Sequence, residues 1–123
     1  MSILILLCIG LVAILHIYFL VLEMFLWTKP LGRKVFRQSP ERAEATAVLA
    51  ANQGLYNGFL AGGLLWALFL NLQNNFQLGR PIAIYFLGCV ILAGAYGAYS
   101  VNKKILFVQA LPAAVALAFV LIS

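Results

Sequence analysis

Glu23 lies in the run Leu20–Val21–Leu22–Glu23–Met24–Phe25–Leu26, where every other side chain is soluble in lipid. A carboxylate in the apolar part of a bilayer costs about 3 kcal/mol even on lenient insertion scales, so it is expected to face a partner or a cavity. A carboxyl held that way can exchange a proton for a cation or act in acid/base chemistry. His16, the only histidine, precedes it by one heptad, and on a helix the two point in nearly the same direction. Gln53 and Asn57 repeat the pattern one helix later, with Asn52 beside them. Counting about 1.5 Å per residue puts Glu23 roughly 6 Å inside the cytoplasmic end of a first span, Gln53 about 12 Å in on a second, and Tyr96 and Gln109 about 6–8 Å in on a third and fourth. Tyr99 falls near that layer, and His16 and Asn57 near the midplane. Every span therefore carries a polar group toward one side of the membrane.

Three uses of these residues compete. The first is a structural network in which amides, phenols and imidazole satisfy Glu23 and His16. The second is a ligand or proton site centred on Glu23, with His16 as proton partner, Gln53, Asn57 and Gln109 orienting a ligand, and Tyr96 or Tyr99 at the wall. The third, a metal site, is short of ligands, because one histidine, one carboxylate and several amides make a poor donor set. No nucleophile motif, phosphate loop or HExxH is present, so no catalytic residue is named and no cofactor is expected. Cys8 and Cys89 are isolated thiols in apolar stretches and read as packing residues.

The elements that position these groups follow from composition. Of 123 residues, 65% are hydrophobic and 9% charged, which excludes an ordinary soluble domain and indicates an integral membrane protein. The reading is all-α: one transmembrane domain over residues 1–123, a polytopic four-helix bundle with helices near 2–27, 40–71, 82–101 and 105–122. The first span lacks the basic lead and small-residue cleavage site of a signal peptide and is expected to stay in place.

Charge sets an orientation. Lys29, Arg33, Lys34, Arg37 and Arg42 lie between spans one and two, and Lys103 and Lys104 between three and four; Arg80 alone lies between two and three. By the positive-inside rule the first and third connections are cytoplasmic and both termini are outside, in a bacterial inner membrane. The basic loop suits orientation and contact with anionic lipid heads. It has no nucleic-acid module, so no nucleic-acid partner is expected.

Local signals refine this outline. Trp27 suits the interface, and Pro30 with Gly32 suggests a turn. Ser39–Pro40–Glu41 reads as a capped helix start. Pro81 is placed to open the third helix and Pro112 to kink the fourth, while residues 101–104 form a short turn. On helix two Thr46, Ala50, Gly54, Gly58 and Gly62 recur every four residues. Such a stripe packs helices closely within one bundle, or forms a homo-oligomer interface through Gly54, Gly58 and Gly62.

Three segments carry a resemblance: His16 to Trp27, Ala51–Asn52–Gln53–Gly54–Leu55–Tyr56–Asn57–Gly58–Phe59–Leu60, and Gln109–Ala110–Leu111–Pro112–Ala113. Together they closely resemble a family of small bacterial membrane proteins catalogued as a domain of unknown function, over essentially the whole chain. The resemblance implies a four-helix membrane protein and no particular activity. The small multidrug exporters and the membrane-bound glutathione and eicosanoid enzymes share the outline but not the motifs. The functional expectation is a small-molecule binding or transport protein with its site around Glu23. The alternatives are an intramembrane acid/base enzyme on a lipophilic substrate and a structural partner of another membrane protein.

Overall fold

A computed structural model describes residues 1–100, 103–104 and 106–123. Among them are no strands. Five α-helices follow one another: α1 (Ile3–Met24), α2 (Pro30–Phe36), α3 (Pro40–Leu72), α4 (Phe76–Ser100) and α5 (Leu111–Ile122), with a π-helical segment, Leu106–Ala110, before α5. The chain is all-α, but the four-helix count is corrected to five among the described residues. Three helices, α1, α3 and α4, are long and apolar enough to cross a membrane. The last apolar stretch, Phe107–Ile122, is shorter. The expected turn at 101–104 and the adjoining helix ends lie in part outside the described residues.

The extra helix is α2, where a turn was expected. Pro30 occupies the first helical position, where its missing N–H is no loss. Gly32 is buried rather than a breaker: a Cβ there would run into the Leu26 carbonyl oxygen and lie 2.6 Å from its carbon. The absence of a side chain lets α2 fold back against the end of α1. Trp27 stacks on Phe36 at 4.8 Å. Arg37 then ends α2 in the left-handed region at φ 53°, its N–H donating to the Arg33 carbonyl. Ser39 starts α3 by accepting from the Arg42 N–H at 3.2 Å.

Of the remaining prolines, Pro81 acts differently from the expectation. Pro81 lies inside α4, which begins at Phe76. The tight reversal ahead of it, with Asn74 at φ 59° and the Asn75 N–H on the Leu70 carbonyl at 2.9 Å, lets α4 start early. Pro112 follows the π-helical segment directly. It lacks the N–H that a regular helix would use at that point, and a wider turn is one way a chain absorbs the loss.

The chain divides into two compact units, one of residues 1–15 with 60–123 and one of residues 16–59. The first has an apolar core built on Ile9, Val12, Leu64, Leu87, Val90 and Val120, filled between by alanines. Gly63 receives the Phe86 ring where a Cβ would otherwise stand, and a Cβ on Gly94 would lie 2.7 Å from that of Ala110. Arg80 donates from Nε to the Val120 carbonyl at 3.3 Å and from a terminal nitrogen to Leu121 at 3.1 Å. The one basic residue of its connection thus satisfies carbonyls that the end of α5 leaves unpaired. The second unit, residues 16–59, joins the end of α1, α2 and the start of α3, with Leu22, Ala43 and Ala50 buried.

Candidate functional site

The polar centre of the second unit is a pair. Glu23 is 8% exposed and Asn57 5%, and the Asn57 side-chain amide donates to Glu23 Oε1. The side chain that bonds Glu23 is thus an uncharged amide. Both residues reach the interior because of the helix pattern. On α3 the buried positions include Ala43, Ala50, Gly54, Asn57, Ala61 and Leu64, which are spaced by three, four or seven, the seam of closely packed helices. On α1, Ile9, His16 and Glu23 are buried one heptad apart. Side chains on these seams have no route to lipid, so their polar atoms must be satisfied within the protein.

Gly54 makes the close approach possible. A Cβ there would lie 2.6 Å from Met24 Cγ, 3.1 Å from Glu23 Cβ and 3.2 Å from the Leu20 carbonyl oxygen. At Gly58 it would lie 2.8 Å from Leu20 Cδ1. These two glycines therefore bring the backbones of α1 and α3 within reach of a short amide-to-carboxyl bond. Gly62 has nothing within 4 Å of the equivalent position.

His16 is fully buried, its ring edge-to-face with Phe19 at 5.5 Å. Asn52 and Gln53 are exposed on α3. Gln53 is expected to share the Asn57 face, yet it lies about 40° round the helix from Asn57 on the side away from Gly54 and Ala61, off the seam. Tyr96 and Tyr99, on α4 in the other unit, are 72% and 90% exposed. Gln109 is half-buried in the π-helical segment. Of the eight residues singled out by type and depth, the structure joins Glu23 to Asn57 and buries His16 on the same seam as Glu23.

Two contacts are absent from the sequence reading. The Trp27 indole N–H donates to Thr46 Oγ1 at 3.0 Å, and the Thr46 hydroxyl donates to the Arg42 carbonyl at 2.7 Å, a second polar link in residues 16–59. Asn71, at the end of the expected second helix, is 3% exposed. Its amide donates to the Ala67 carbonyl at 2.8 Å, its Oδ1 has no hydrogen-bond partner among the described residues, and its side chain fills the space left by Gly79. The signal for Asn71 is its register: it falls two heptads after Asn57.

Comparison with known proteins agrees with this reading of the chain as a small protein of undefined activity. Residues 10–121 match the family described as "Protein of unknown function (DUF1304)". The chain is similar to the uncharacterized protein YpaA of Lactococcus lactis subsp. lactis (strain IL1403), 35% identical over 101 residues that cover 80% of this chain and 81% of that protein. No solved structure matches. The matched region takes in α1 from Gly10 onward and runs through α5, including Glu23, Asn57 and both glycines that bring them together, and the chain belongs to the DUF1304 family.

Proposed function

We propose that this chain is a multi-pass protein of the bacterial inner membrane, with its basic α1–α3 connection cytoplasmic, that binds or carries a small cationic molecule at Glu23. The observation behind this is a buried carboxyl whose hydrogen-bond partner is a neutral amide. An ionised carboxylate in a bilayer requires a compensating charge. A proton supplies it in the resting protein and a cationic ligand supplies it in exchange. Asn57 holds Oε1 and fixes the carboxyl plane, leaving the second oxygen for the ligand. His16, a heptad deeper on the same line of α1, passes the displaced proton on and does not keep it.

The test uses the purified full chain in dodecylmaltoside micelles, with octylamine and tetraphenylphosphonium as probes. Binding is measured by calorimetry and proton release in a weakly buffered solution. Wild-type protein is expected to release protons as the probe binds, and Glu23→Gln, which keeps the shape and the acceptor, to lose both signals. Equal binding and equal proton release in the two proteins would show the proposal to be wrong.

A second reading has its own support in Gly54 and Gly58: the Glu23–Asn57 bond is a tie that fastens α1 to α3. It predicts that Glu23→Gln, still able to accept from Asn57, changes neither stability nor any activity in cells.

A further inference from the structure

Helix α2 does not contribute to the Glu23–Asn57 pair, and its surface is unusual. Gly32 and Phe36 face inward, against Leu26 and Trp27. Leu31 and Val35, one turn apart, are 48% and 44% exposed. Lys29, Lys34 and Arg37 are exposed around them. Between Lys29 and Glu44 the chain carries five basic residues, Lys29, Arg33, Lys34, Arg37 and Arg42, against two acidic ones, Glu41 and Glu44. Lys29 and Arg37 flank the helix, and the acidic pair lies beyond it on α3.

We propose that α2 is a docking surface for anionic phospholipid, with headgroup phosphate held by Lys29, Lys34 and Arg37 and the upper acyl chain lying along Leu31 and Val35. Charge complementarity selects this occupant: an exposed apolar pair edged by cations fits an interface that is apolar below and anionic above. The level is right as well. Gly32 and the Trp27–Phe36 stack fasten α2 next to the end of α1, and an indole at that point suits the headgroup region. Seven residues are too few to bind a membrane alone, but this helix is held in place by a neighbour that crosses it. The surface depends on the bilayer placement proposed above and not on Glu23.

The experiment titrates the full-length protein, in dodecylmaltoside, with phosphatidylglycerol and with phosphatidylcholine, and counts bound lipid by native mass spectrometry. Wild type is expected to prefer phosphatidylglycerol. One basic residue near an anionic surface contributes roughly fivefold in binding, so the triple variant K29Q/K34Q/R37Q should lose roughly a hundredfold in phosphatidylglycerol affinity while phosphatidylcholine is unaffected. L31S/V35S should weaken both lipids and keep their ratio. Salt of about 1 M should erase the preference in unmodified protein, a check that does not depend on any variant folding. An unchanged preference in the triple variant overturns the proposal. So does displacement of phosphatidylglycerol by inorganic phosphate, which would mark a site for a soluble anion. Failure to bind either lipid overturns the proposal together with the bilayer placement, whereas equal binding of the two lipids overturns the proposal alone.

Discussion

Residues 16–59 and the remainder of the chain use the same helix-packing pattern with opposite chemistry. Along α3 the position that holds Asn57 in the smaller unit holds Leu64 one heptad later in the larger one, and both are buried. Around Leu64 the neighbours are aliphatic and alanine, and the core needs no polar partner. Around Asn57 the pattern delivers a carboxyl, and the two helices are joined by a directional bond. Apolar packing absorbs small rearrangements with a loss of uniqueness before a loss of stability. A buried amide and carboxyl tolerate none, because each orphans the other when it moves. The difference is that the larger unit is held by contacts without direction and the smaller by one that has a direction.

The largest effect is expected in the apolar unit. Leu87 is fully buried, and Leu87→Ala should cost about 2–5 kcal/mol, read as loss of helical signal on heating in detergent. A smaller loss would mean that this core is loose and that the contrast between the units is overstated.

Next comes Gly54→Leu, which sets a side chain where Met24 and the Glu23 stem already lie. Overpacking of this kind should cost about 1–3 kcal/mol. Loss of the Glu23–Asn57 bond should accompany it, seen as a shift of the Asn57 amide resonances.

A double-mutant cycle on Glu23→Ala and Asn57→Ala sharpens the comparison further. Coupling of about 0.6–1.7 kcal/mol is expected, the range for hydrogen bonds between membrane helices. A coupling of zero would mean that the pair contributes nothing to holding the unit together. The same cycle at Leu64 with an aliphatic neighbour measures the apolar counterpart.

The smallest effect belongs to Gly62→Ala, where a Cβ meets open space. The change should stay within about 0.5 kcal/mol. If it instead alters the size of the particle in gel filtration, the end of the glycine stripe contacts another copy of the chain.

Much of the local structure could be read directly. Ser39–Pro40 starts α3 because a hydroxyl acceptor followed by a residue without an N–H suits the first turn of a helix. The helical class and three of the four expected membrane-length segments followed from apolar runs alone. The glycine stripe was legible as a sequence but not as a surface. Spacing by four drifts around the helix by about 40° per step, so Gly54 is buried and Gly62 is not. Gln53 left the Asn57 face for the same reason. Arg80 looked like loop polarity and proved to be bonded to the end of α5. Contacts that join residues distant in the chain leave no local trace.

Composition and spacing were sufficient to establish a helical chain suited to a bilayer, with an isolated carboxyl and imidazole on one line of the first helix. Those properties depend only on which side chains dissolve in lipid and on the fixed turn of a helix. The choice of Asn57 over Gln53 as the partner of Glu23 came from the packing of α1 on α3. So did the folding of the basic connection into α2, which Gly32 allows because nothing there obstructs the Leu26 carbonyl. Such choices depend on which backbones approach closely enough to touch, and that distance is a property of two segments together.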